Sequence, residues 1–193
     1  MLGDGRGDGG RADEVDPDAQ GHRQRSSQTR VRRLSRSVAL TPWSLDDHDL
    51  LHALNSDPVQ MAHVGGTETD AKIADRNARY AQDPHQLRIA VDGQPAGWVG
   101  FWEREWDGER VYEFGWSVLR AFQGRGVARQ ATLLALDVAR QADGPRRVHA
   151  FPDTDNAPSN ALCARVGFRL VGEARFEYPP GTFITVNDWR IDL

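Results

Sequence analysis

Along the chain the apolar positions switch between a period near 2 and a period near 3.6, and each switch marks an element. Val38 and Leu40 alternate as a short first strand, so the folded part begins near Ser37. Ser44-Leu45-Asp46-Asp47 is a capping-box pattern, and Leu50, Leu51 and Leu54 behind it predict a helix. That helix stops at Asn55-Ser56-Asp57-Pro58, where proline removes a donor and restricts the residue before it. A second cap, Thr67-Glu68-Thr69-Asp70, precedes Ala71, Ala74, Ala78 and Ala81, which are spaced for one helical face widened by Ile73 and Tyr80.

From Leu87 the period falls to 2. Leu87, Ile89 and Val91 run into the hairpin signal Asp92-Gly93; Gly97 to Trp102 and Val111 to Leu119 follow as strands around the turn Trp106-Asp107-Gly108-Glu109. In the third of these strands Tyr112, Phe114, Trp116 and Val118 share one face, and Glu113, Gly115 and Ser117 the other. A helix opens after Gln123-Gly124-Arg125-Gly126, with Val127, Ala131, Leu134 and Val138 on one predicted face. Arg147 to Phe151 reads as a strand, Asn156 to Val166 as a helix with Gly167 as its stop, and Phe168 to Tyr178 and Phe183 to Leu193 as closing strands. The order β-α-α-β-β-β-α-β-α-β-β describes a mixed α+β fold, its first three long strands an antiparallel meander.

Residues 1–33 break this patterning. Only Leu2, Val15 and Val31 offer apolar burial there, so the segment is expected to be disordered, ahead of one folded domain over 37–193. Arg23, Arg25, Arg30, Arg32 and Arg33, with Arg36 just beyond, give its second half a basic character, and RNA or an acidic partner is an alternative to a solvated tail. The whole-chain net charge of -4 argues neither for nor against nucleic acid, which is not the expected partner. Cys163 is the only cysteine, which excludes intrachain disulfides and thiolate-rich zinc sites. No apolar run is long enough to span a bilayer and no signal-peptide core is visible, so a soluble cytoplasmic protein without a membrane partner is expected. His48 and His52 lie one helical turn apart, a metal-capable spacing, but no third ligand accompanies them and no metal is expected.

The chemistry concentrates where the third long strand delivers a glycine-rich turn to a helix N-terminus. Unpaired N–H groups and the helix dipole make such a junction an anion site. A phosphate-binding P-loop needs a lysine, and the chain's sole lysine is Lys72. A dinucleotide fingerprint needs a third small residue in register, and Val127-Ala128-Arg129 does not provide it. What stands there is Q-x-x-G-x-A: Gln123, Gly126 and Ala128.

With that motif the chain resembles the GCN5-related N-acetyltransferase (GNAT) superfamily, whose signature [RQ]-x-x-G-x-[GA] follows its fourth strand. Leu40-Thr41-Pro42 through Ser56-Asp57-Pro58, and Asp155-Asn156-Ala157-Pro158-Ser159-Asn160 through Gly167 to Glu173, resemble its ribosomal-protein-alanine acetyltransferase (RimJ/RimL-type) branch. The likeness covers about Ser37 to Leu193. It implies an acyl-CoA N-acyltransferase fold: a mostly antiparallel sheet with helices on both faces. It also implies transfer of the acetyl group of acetyl-CoA, as co-substrate, to the primary amine of a small molecule or protein N-terminus, by direct attack in a ternary complex. A homodimer and a non-catalytic acyl-CoA-binding module on the same fold are left open.

Site roles follow from the resemblance. Backbone N–H groups of Gln123, Gly124, Arg125, Gly126, Val127 and Ala128 would bind the pyrophosphate; Trp116, Ser117 and Val118 would pair with pantetheine; Asn156 and Ser159 would contact pantetheine or pyrophosphate, or cap their helix. The Val118 N–H would polarise the thioester carbonyl, and Glu113 is the candidate base. Many relatives place an acidic tyrosine seven residues after the asparagine; here that place holds Cys163, a candidate acid or simply a small packing residue. Trp98 and Trp102 share a strand parity that predicts packing under a helix, whereas Trp106 beside a turn is open to a place in the acceptor cleft.

Overall fold

The computed structural model describes residues 37–178 and 180–193, so the expected tail and its arginines lie outside the described residues. Strand β1 (Val38–Pro42) leads through a 3₁₀ turn into α1 (His48–Asn55), α2 (Pro58–Met61) and α3 (Asp70–Tyr80). The meander follows as β2 (Gln86–Val91), β3 (Gln94–Trp106) and β4 (Glu109–Val118); α4 (Val127–Gln141), β5 (Arg147–Ala150), α5 (Ala157–Val166), β6 (Arg169–Glu177) and β7 (Phe183–Asp192) complete the chain. All strands join one seven-stranded sheet in the order β1-β2-β3-β4-β5-β7-β6. Every neighbouring pair is antiparallel except β4 with β5.

The opening helices depart from the sequence reading for local reasons. Asp47 closes the capping box by accepting from the Ser44 N–H at 2.9 Å. Pro58 ends one helix and also starts the next: it sits in the first turn of α2, where its missing donor is harmless, while Asp57 accepts from the Val59 N–H at 2.9 Å. On α3 the alanine stripe stays outside the core, Ala71 and Ala74 exposed and Ala78 half-buried, with Ala81 alone packing against the buried cluster. The buried positions are Ile73 and Asn77, with Tyr80 beside them, because these larger groups fill the space under α1 whereas methyl groups would leave it empty. Asn77 is satisfied there, accepting from Trp43 Nε1 at 2.8 Å and donating to the Leu45 carbonyl at 2.9 Å.

Two apolar layers result. On one sheet face Trp43, Leu50, Leu51, Leu54 and Ile73 pack with Trp98, whose ring stacks on Tyr80 at 5.1 Å. On the other, Val99, Phe101, Tyr112, Phe114 and Val118 meet α4 and α5. The α4 face is also rotated from expectation: Leu134 and Val138 are partly exposed, and Val127, Ala131, Ala135, Leu136 and Ala139 are buried. Alanines on the buried side let the helix axis approach the large side chains of the sheet.

Glu68 ties the α1–α3 layer together, pairing with Arg76 and accepting from Asn55 Nδ2 at 2.8 Å. Burial alone would raise its carboxyl, but hydrogen bonds from Arg76 and Asn55, with the charges of Arg76 and Lys72, hold it below its ordinary value. A depressed carboxylate stabilises the fold above its unfolded pKa and loses that contribution as pH falls through the folded one. Glu68→Gln is therefore expected to lower the Tm near neutrality and to flatten its decline below roughly pH 4. Thermal melts across pH check this; parallel Tm–pH curves would contradict it.

Candidate active site

The site begins where β4 and β5 part. Their ladder holds only Tyr112↔Val148 and Glu113↔His149; β4 then runs on to Val118 while β5 ends at Ala150. The Leu119 N–H donates to the Ala96 carbonyl at 2.8 Å, closing the β3 side of the ladder. Because hydrogen-bonded and free pairs alternate in an antiparallel ladder, Val118 opposite Gly97 and Trp116 opposite Val99 turn their backbone groups to the open side. Ser117, opposite Trp98, spends its peptide groups on β3, so the open edge of β4 is formed by Trp116 and the Val118 N–H, the Val118 carbonyl being taken by Gln123.

Gly97 is what allows this edge to form. A Cβ there would lie 2.3 Å from the Ser117 carbonyl oxygen and 2.9 Å from the Val118 Cα. Gly97→Ala is expected to cost about 2 kcal/mol by overpacking and to displace the Val118 edge. Chemical denaturation combined with a cofactor titration tests it, and wild-type stability with wild-type binding would show that the strands can yield.

The Gln123–Ala128 loop continues from that edge. Gln123 Nε2 donates to the Val118 carbonyl at 2.8 Å and to Gln60 Oε1 at 2.9 Å, locking strand, loop and α2 together. Its side chain is therefore a brace, and its backbone N–H donates to the Arg120 carbonyl at 3.2 Å, so against expectation Gln123 offers an anion no free N–H and the cradle starts at Gly124. Gly124 and Gly126 adopt φ of +69° and +77°, and Gly126 is the N-cap of α4. Successive left-handed and helical residues turn their N–H groups into one concavity. The backbone N–H groups of Gly124 through Arg129 make no hydrogen bond among the described residues; the first to be satisfied is Gln130, bonded to the Gly126 carbonyl at 3.1 Å. The result is an N–H-lined anion cradle on a helix N-terminus, contiguous with the free strand edge.

Across the gap stands the start of α5. Asn156 accepts from the Ser159 N–H at 3.2 Å, so its carbonyl is engaged in capping and its amide nitrogen is left for other contacts. Asn160, passed over in the sequence, does more: its oxygen accepts from Asn187 Nδ2 and Trp189 Nε1, both at 2.8 Å, and pins α5 to β7. Cys163 has no exposed surface and sits in the core cluster, where burial pushes its thiol up to about 12. A thiol that does not reach the cleft cannot hand a proton into it, and the side chain serves packing.

The face opposite α4 carries the charged groups. Glu113 is held by Arg104 Nη1 at 2.5 Å, its side chain 14% exposed. Burial pushes the Glu113 carboxyl up, and the Arg104 charge with hydrogen bonds from Arg104 and Trp102 only partly opposes this. Beside it His149 Nδ1 lies 2.6 Å from Asp188 Oδ1, while Trp106 Nε1 donates to Asp188 Oδ2 at 3.0 Å. Trp106 is thus drawn toward β7 and packs on Phe151 at 4.5 Å, whereas Trp98 and Trp102 stack at 6.4 Å under α3. Arg104, His149 and Asp188 were not singled out in the sequence; strand parity places each on Glu113's face, but only the sheet order brings them together.

His48 and His52 sit on an exposed helix face, and His52 Nε2 contacts Asp70 at 3.2 Å. No group of three or more metal-ligating side chains occurs among the described residues. No helix among them is long and apolar enough to cross a membrane.

Comparison with known proteins agrees with this geometry. The family model for the acetyltransferase (GNAT) domain matches residues 37–169. A mycothiol acetyltransferase of Clavibacter sepedonicus is 33% identical over 141 residues, covering 72% of this chain and 45% of that protein. The chain thus spans less than half the length of that relative. A spermidine N(1)-acetyltransferase of Escherichia coli K12 is 25% identical over 146 residues, 74% of this chain and 78% of the relative. Among solved structures, a ribosomal L7/L12 alpha-N-protein acetyltransferase in complex with coenzyme A superposes with a TM-score of 0.64 at 20% identity, covering 81% of this chain and 94% of that one. With the family model spanning most of the chain, and the strand parting and N–H-lined loop in place, this protein belongs to the GNAT acetyltransferase family.

Proposed function

We propose that the chain is an acetyl-CoA-dependent N-acetyltransferase that acetylates the primary amine of a small molecule or a protein N-terminus, in the manner of the ribosomal-protein-alanine (RimJ/RimL-type) branch. The carrying observation is the continuity between the free Trp116–Val118 edge and the unbonded N–H groups of Gly124 through Arg129. An extended thiol arm pairs with the edge, and a pyrophosphate at its end takes up the cradle. Asn156 and Ser159 close the other wall at the start of α5.

The chemistry uses few groups. The Val118 N–H, unspent on β3, stabilises the oxyanion that forms when an amine attacks the thioester carbonyl. Glu113 accepts the amine proton on the oxygen that Arg104 does not hold. The thiolate leaves without help from Cys163, being already a good leaving group. The relatives named above as spermidine and L7/L12 acetyltransferases support an amine acceptor of either size.

The test is thiol release from acetyl-CoA with a panel of amines: spermidine, an aminoglycoside, free amino acids and short peptides beginning in Ser or Ala. At least one is expected to give acetylated product in step with free thiol. Tight acetyl-CoA binding with no turnover across the panel would instead support a non-catalytic acyl-CoA-binding module.

A further inference from the structure

On the sheet face that carries Glu113, β5 and β7 hold a second buried acid–imidazole pair. His149 and Asp188 are 5% and 4% exposed, with Nδ1 and Oδ1 2.6 Å apart. Asp188 receives a further hydrogen bond on its other oxygen, from Trp106 Nε1 at 3.0 Å. A neutral imidazole meets a carboxylate at this distance as the tautomer with its proton on Nδ1 and its lone pair on Nε2. Nε2 has no hydrogen-bond partner among the described residues, and Phe151 stacks on the ring at 5.7 Å to fix its plane.

Position gives this pair its interest. His149 is the register partner of Glu113 in the last rung before β4 and β5 diverge. Partners across a rung share a sheet face about 5 Å apart, within reach of two side chains and one water. Four ionisable groups share this face with the imidazole: Asp188 in direct contact, Glu113 and Arg190 as its register partners on β4 and β7, and Arg104 from β3 bound to Glu113. Burying such a pair costs desolvation that an apolar side chain would avoid, so stability alone does not account for it.

We propose that His149, oriented by Asp188, receives the amine proton from Glu113 and passes it to solvent, so that the row Glu113–His149–Asp188 is the proton exit of acetyl transfer. This rests on the acetyltransferase reading above. In the step, the amine lone pair forms the new C–N bond and the thioester C–S bond breaks, its pair leaving on sulfur. The proton lost by nitrogen goes to the Glu113 carboxylate and then to His149 Nε2. The resulting imidazolium keeps its Nδ1–H on Asp188 until water takes the Nε2 proton. His149 is a relay and does not touch the acceptor.

The experiment measures kcat and KM against pH for wild type, His149→Gln and Asp188→Asn, with the acceptor chosen from the amine panel. Imidazole ¹⁵N shifts of the wild-type protein are recorded in parallel. His149→Gln is expected to lower kcat by about 100-fold and to change its acid limb, leaving the KM for acetyl-CoA unaltered. Asp188→Asn is expected to do the same to a lesser degree. The wild-type ring is expected as the Nδ1-protonated tautomer, a reading that stands even where His149→Gln does not fold. Folded His149→Gln with wild-type kcat and acid limb, or a wild-type ring protonated on Nε2, would overturn the relay alone. Absence of turnover across the whole panel by wild-type protein would overturn the acetyltransferase reading and the relay with it.

Discussion

Gly126→Glu is expected to abolish acetyl-CoA binding, by at least about 100-fold in Kd, while the protein still folds. A Cβ at Gly126 meets nothing within 4 Å, so the substitution creates no clash. Its φ of +77° does strain any other residue, by about 1–2 kcal/mol, which lowers the Tm by several degrees. Binding suffers more, because the new carboxylate projects from the N-cap of α4 among the N–H groups that would receive pyrophosphate. It occupies the positive end of the helix and repels the incoming anion. Gly126→Ala carries the strain without the charge and is expected to bind within about tenfold of wild type. Calorimetric titration of both variants separates the causes, and equal losses would mean that loop conformation, not the anion site, had been destroyed.

The second large effect is expected at Glu113. Glu113→Gln should lower kcat by about 100- to 1,000-fold and leave acetyl-CoA affinity intact. The substitution also strips Arg104 of its carboxylate, so a loss of stability of a few kcal/mol accompanies it. Kinetics are therefore read well below the variant's Tm. The pH dependence carries its own sign. Glu113 works as a base only when ionised, and burial raises its pKa, so the rate should fall with decreasing pH at a value above the ordinary carboxylate range. Arg104 opposes that rise, and Arg104→Gln should move the acid limb to still higher pH. An acid limb unmoved in Arg104→Gln, or a full rate in Glu113→Gln, would remove the carboxylate from the mechanism.

What could be read from the sequence was local in the chain. The Gln123–Ala128 loop shows itself through glycines whose left-handed backbone is required on the spot. The meander shows itself through Asp92-Gly93 and Asp107-Gly108, both turning with positive φ. Helical faces were harder, because a stripe of alanines carries no signal of its own. On α3 none of it was fully buried, on α4 alanines lay inside, and in each case the partner layer decided. The braces and charged pairs were illegible for a different reason. Gln123 to Gln60, His149 to Asp188 and Trp106 to Asp188 join residues 63, 39 and 82 positions apart. The order of strands in the sheet places the last two pairs together, while the first joins a loop to α2. Cys163 was open to two readings until its complete burial assigned it to the core.

The most direct test of the account couples thiol release to mass analysis of the acceptor, wild type beside Gly126→Glu, in saturating acetyl-CoA. Wild-type protein is expected to release one thiol for each acetyl group gained by an amine, and Gly126→Glu to do neither. Acetylation by Gly126→Glu at the wild-type rate would contradict it, because the Gly124–Arg129 cradle could not then be where the co-substrate is held.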